Sequence, residues 1–121
     1  MSQSTRVSPP NSIVFISDPN GGAAPYPVRG PLILSSPSCI SVGCKMEQDG
    51  PTEFVLGRAH EVDPGSRPAF DGPLETPNHA VVVSTVDREL LLSDNVPTTR
   101  TRVRIWVNHP TEPDRVIVGL E

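Results

Sequence analysis

Three histidines, two cysteines and a row of arginines ending in a tryptophan are the side chains here whose types and spacing point to chemistry. Zinc sites bring their ligands in close pairs, such as two cysteines separated by two residues. Cys39 and Cys44 have four residues between them, and on one unbroken strand they point to opposite faces. A disulfide between them would need a bend. Two reduced thiols are therefore expected, with Cys44 on the apolar side and inert and Cys39 the more exposed. His60, Glu61 and Asp63 make the densest group of metal-ligand types, in a loop that reads more simply as a solvated acidic turn. Asp18 and Asn20 beside Gly21 and Gly22 suggest calcium only superficially, because the spaced oxygen ligands and closing glutamate of an EF-hand loop are missing. The sequence contains no G-x-S-x-G elbow and no glycine-rich phosphate loop. No catalytic residue, metal or cofactor is expected on these grounds. The enzymatic alternative is a small hydrolytic or ligand-binding domain, with or without a metal, whose site lies in residues 58–79 and gathers His60, Asp63 and His79.

Arg100, Arg102, Arg104 and Trp106 carry the stronger pattern. On a strand every second side chain emerges on the same face, so these four stand in a row at about 6.6 Å spacing. Arginine and tryptophan are enriched at binding hot spots. The guanidinium forks would meet carboxylates of a partner protein while the indole supplies an apolar anchor. The competing use of the row is internal: Trp106 covers its own sheet, and cross-strand acids neutralise the arginines. Single-stranded nucleic acid would want several aromatic platforms in a positive groove, whereas the row offers one and the net charge is -4. Residues 45–75 hold three basic and seven acidic residues. That balance repels nucleic acid and suits a basic protein, as in an inhibitor that mimics a phosphate surface, although the acids are thinly spread. The expected function is a non-enzymatic protein-binding, regulatory or accessory one. Pairing of two copies through an exposed edge strand is a second route to association.

Fifteen prolines in 121 residues leave little room for helices and divide the chain into short extended segments. The clearest is 101–108, with Val103, Ile105 and Val107 inward and the arginine row outward. It is followed by 115–120, with Val116, Val118 and Leu120 inward; together these form a C-terminal hairpin. Residues 79–86 and 89–93 pair across Asp87 and Arg88, with apolar positions on both faces of the first. Residues 38–46 alternate, with Ile40, Val42, Cys44 and Met46 inward, and read as a hairpin with 52–57, where Phe54 and Leu56 share a side. Residues 13–16 form a first strand ahead of a sharp turn. Residues 32–34 form a brief edge strand inside the proline-rich 23–37 region, which includes Pro27. Residues 58–78 read as a long irregular stretch, interrupted by a helical turn near 67–70 and pinned by Phe70.

The result is an all-β fold of about six to eight strands: a small antiparallel β-sandwich, with a small β-barrel as the alternative. Aromatic residues are few (Phe15, Tyr26, Phe54, Phe70 and Trp106), so valine, isoleucine and leucine must build the core. Residues 1–11 read as a flexible N-terminal arm and 12–121 as one domain. No segment has the length or apolarity of a membrane span or a secretory leader, and the cytoplasm is the expected compartment.

Overall fold

The structure, a computed structural model, describes residues 2–25 and 30–121. Tyr26 and Pro27 lie outside them. Two five-stranded sheets stack face to face, which makes the fold a small β-sandwich. Sheet 1 runs β1 (Gln3–Val7), β5 (Thr52–Arg58), β10 (Arg115–Leu120), β9 (Arg100–Val107) and β6 (Phe70–Glu75). Sheet 2 runs β3 (Ile33–Ser36), β4 (Cys39–Gly43), β2 (Ile13–Ser17), β7 (Ala80–Thr85) and β8 (Leu90–Asn95). The period-2 valines and isoleucines fill the space between them. Val14, Ile16, Ile40, Val42, Val81 and Val83 come from sheet 2, and Phe54, Leu56, Val103, Ile105, Val116 and Val118 from sheet 1.

Several strands follow the alternation of the sequence closely. Val116 lies opposite Val107 and Val118 opposite Ile105, so the C-terminal hairpin forms as expected. β7 pairs with β8, and β3 is the short edge strand beside β4.

Other regions differ for identifiable reasons. β4 and β5 do not form a hairpin; they belong to opposite sheets. A 3-10 turn at Glu47–Asp49, followed by Gly50 at φ 116°, carries the chain across the sandwich. Strand β4 ends at Gly43, so Met46 falls outside the alternation and is 43% exposed instead of inward. Residues 58–78 are more regular than expected. A single helical turn, α1 (Ala59–Val62), replaces the one predicted near 67–70. Phe70 opens β6, where Pro73 is tolerated because the strand lies at the sheet edge. Part of the predicted flexible arm is strand β1, paired antiparallel with β5. Val7 packs on the core, and the Gln3 amide donates to Ser93 O in sheet 2 at 2.6 Å. β10 and β5 run parallel, the exception in an otherwise antiparallel pair of sheets.

The β7–β8 connection shapes one end of the outer face of sheet 2. Arg88 N donates to Thr85 O at 3.0 Å, and Thr85 N to Glu89 O at 3.0 Å. The Thr85 hydroxyl accepts from Asp87 N and Glu89 N, fixing the turn. Arg88 adopts φ 63°, the left-handed conformation that closes such a loop and that glycine ordinarily supplies. Just beyond, the register slips: Ser84 faces Leu90 while Val83 faces Leu92. The extra residue, Leu91, is a bulge that puts Leu92 in the core and swings Leu90 to the outer face.

Candidate contact faces

The two outer faces of the sandwich have opposite chemistry. On sheet 1, β9 turns Arg100, Arg102, Arg104 and Trp106 outward in one row, as the alternation requires. Their surroundings occupy most of the row. Arg102 binds Asp71 through two parallel bonds, Nε to Oδ1 at 2.8 Å and Nη2 to Oδ2 at 2.7 Å. Its Nη1 donates to Glu121 Oε2 at 3.1 Å. Arg104 Nη2 donates to both Glu121 carboxylate oxygens, at 2.6 and 2.7 Å. The Arg102 fork holds the Asp71 carboxyl below its ordinary range, and the Arg104 bonds do the same for Glu121; partial burial opposes both shifts. Asp71 in turn raises the Arg102 guanidinium.

Trp106 is only 3% exposed. Its indole N–H donates to Ser66 O at 2.9 Å, so the segment after α1 folds over it as a roof. Gly119 makes that packing possible, because a Cβ there would lie 2.9 Å from the indole and 3.0 Å from Ala59 Cα. The Arg104 guanidinium sits over the ring, 5.9 Å from its centroid. The geometry matches the internal use of the row. The indole is sealed beneath its own chain, Arg102 and Arg104 are answered by Asp71 and Glu121, and Arg100 is exposed at the end.

Sheet 2 presents the contrasting face. The outward positions of β4, β2 and β7 are Cys39, Ser41, Gly43, Ile13, Phe15, Ser17, Ala80, Val82 and Ser84, and none is charged. Phe15, Val82 and Leu90 line a pocket of about 510 Å³ with Ser17, Ser84 and Cys39. Leu90, on its rim, is 59% exposed. Arg88 also lines it. Cys39 points outward as expected and lines this pocket, but is only 4% exposed. Burial pushes its thiol up to about 11, and burial also raises Cys44. Both cysteines are unbridged, and neither is an activated thiolate at neutral pH.

A buried carboxylate braces one wall of the pocket. Asp18, 2% exposed, follows β2 and accepts from Asn78 N at 2.8 Å, Asn78 Nδ2 at 2.6 Å and Asn20 N at 3.1 Å. Burial pushes its pKa up, but the three bonds outweigh it and leave the group below its ordinary value. Asp18 O also accepts from Gly21 N at 2.8 Å, so one residue fixes the Asn20–Gly21 wall and ties it to the turn before β7. The opposite side of that turn is held by Thr76, whose hydroxyl contacts Thr98 O and the Thr101 hydroxyl. Gly22 is required where it stands: a Cβ would meet Ser38 O at 2.3 Å.

The residues considered for a metal or catalytic centre fall on different turns. His60 is on α1, Asp63 accepts from Gly65 N just beyond it, and His79 sits at φ 56° in the turn before β7. Among the described residues no group of three or more His, Cys, Asp or Glu is placed to hold a metal ion. No helix among them is long and apolar enough to cross a membrane. Two of the edge strands are capped. Gln3 and Arg58 donate to Ser93 O and Asn95 O on β8, both at 2.6 Å, and Glu75 N on β6 donates to Pro37 O at 2.9 Å.

Neither a family model nor a curated protein matches the sequence. Two solved structures share its fold over nearly their whole length. One is ComJ from Bacillus subtilis, an inhibitor of the DNA-degrading activity of NucA. It matches with a TM-score of 0.68 at 10% identity, over 99% of this chain and 96% of ComJ. The other, crocagin biosynthetic gene J, matches with a TM-score of 0.53 at 15% identity, over 98% and 94% of the two chains. At these identities the likeness is one of fold.

Proposed function

We propose that this chain is a non-enzymatic regulatory or accessory domain that works by binding another protein. The observation that carries this reading is the end-to-end likeness to ComJ, a sandwich of the same size whose role is to inhibit another protein's activity. The sheet 2 pocket, with Leu90 59% exposed on its rim, supports it, since exposed apolar surface marks interaction sites. The mildly acidic charge of -4 agrees with a protein partner rather than a nucleic acid. The cytoplasm is the compartment we assign, consistent with two unbridged thiols. The test is affinity capture with the purified chain from extract of its own cells, followed by reconstitution from purified components. A stoichiometric complex with one protein, whose activity or assembly changes on binding, supports the reading. Turnover of a small substrate by the chain alone, with no protein retained, contradicts it.

A further inference from the structure

We infer that the sheet 2 pocket receives an apolar side chain from an acid-bearing segment of the partner, with Arg88 pairing the partner's carboxylate. This rests on the protein-binding reading above and names the surface and the chemistry it recognises. The floor and walls, from Phe15, Val82, Leu90 and Cys39, offer apolar surface at outward positions where a free-standing sheet usually presents polar side chains. A volume of about 510 Å³ is room for one or two large apolar side chains.

Among the described lining residues, Arg88 is the one charged side chain, and its guanidinium has no hydrogen bond or ion pair with any described residue. Arg58, Arg102, Arg104 and Arg115 on the opposite sheet each have a carboxylate within 4.0 Å, whereas Arg100 there is exposed with no ion pair among the described residues. Asp87 and Glu89 flank Arg88 in sequence, but neither lines the pocket. The cation also stands where the backbone favours glycine, at φ 63°. An uncharged apolar floor with a cation at its margin that is unpaired among the described residues is complementary to a leucine, isoleucine or phenylalanine adjacent to an aspartate or glutamate. A lysine-bearing segment would meet Arg88 as a like charge, and a purely polar one would leave the floor unfilled.

The experiment is titration of the isotope-labelled full-length chain with three blocked hexapeptides, followed by amide NMR. One contains Leu-Phe flanked by aspartates, the second Leu-Phe flanked by lysines, and the third serines flanked by aspartates. The first should shift amides of β2, β7 and the Arg88 turn, and should bind at least tenfold more tightly than either of the others. Arg88→Glu should abolish that preference. Arg88→Gly should raise the unfolding midpoint, by relieving the left-handed backbone, while weakening the aspartate peptide severalfold; this keeps the test readable if Arg88→Glu folds poorly. Equal binding of the first two peptides, or shifts confined to sheet 1, would overturn the inference. If the captured partner binds Arg88→Glu and Leu90→Lys as well as the unaltered chain, this pocket is excluded while the protein-binding reading stands. Peptide binding with no captured protein would leave the pocket chemistry in place and remove the proposed function.

Discussion

Sheet 1 and sheet 2 are built from similar inward rows of valine, isoleucine and leucine, yet their outer faces have been finished in opposite ways. Sheet 1 carries the charges and answers most of them internally. Arg102 and Arg104 meet Asp71 and Glu121, Arg115 meets Glu53, and Trp106 is roofed by the chain after α1. On sheet 2 the outward positions of β4, β2 and β7 are uncharged and buried or half-buried, Leu90 is turned outward by a bulge, and Arg88 beside it has no ion pair with a described residue. The paired charges and the exposed Leu90 therefore lie on different faces of this molecule. In the row that resembles a hot spot in composition, Trp106 is covered and Arg102 and Arg104 are paired within the chain, whereas sheet 2 exposes Leu90 beside its pocket.

The contrast can be broken from either side. The largest effect is expected from Trp106→Ala, which empties the space under the roof. It should cost about 3–5 kcal/mol in urea unfolding, while the molecules that remain folded bind the partner normally. Asp18→Ala comes next. It strands the Asn78 donors, and loss of bonds to a buried carboxylate should cost about 3 kcal/mol, this time with loosening of the Asn20–Gly21 wall and weaker binding. The same group sets a pH dependence. Its folded pKa lies below the unfolded value of about 3.9, so its contribution is present above that value and is lost as pH falls through the folded pKa. Thermal unfolding followed from pH 7 downward should steepen in loss below about pH 4, and Asp18→Ala should reduce that dependence. Gly119→Ala should cost about 1–3 kcal/mol, because the added methyl collides with Trp106 and Ala59. The smallest change is expected from Arg102→Ala, which removes solvent-exposed pairs; its unfolding midpoint should stay near that of the unaltered chain at physiological salt.

Local periodicity made the sandwich legible. Val103 and Ile105 or Val116 and Val118 could not alternate as they do without burying one face. Pairing across long separations left no such trace. Nothing near Thr52 or Arg115 announces that β5 and β10 lie side by side in parallel. β1 was hidden because Gln3–Val7 offers a single apolar residue, which suffices at a sheet edge. β6 was hidden by Gly72 and Pro73, residues that a central strand would reject and an edge accepts. The candidate site was legible in a weaker form. The arginine row could be placed on one face, but its partners, Asp71 and Glu121, arrive from other strands. Ser66 covers the indole from 40 residues away. The sheet 2 pocket depends on a register slip at Leu91 and on a turn braced by Asp18 and Asn78, 60 residues apart. Each is a tertiary event with no local pattern to report it.

The most direct test of the contact assignment is a side-by-side binding measurement with the captured partner, comparing Leu90→Lys with the double variant Arg102→Ala and Arg104→Ala. Leu90 is already exposed, so its substitution should leave the fold intact, which circular dichroism checks. Affinity should fall at least tenfold for Leu90→Lys and change less than twofold for the arginine pair. The reverse order, with the arginine variant losing the partner and Leu90→Lys retaining it, would contradict the account and return the contact face to sheet 1.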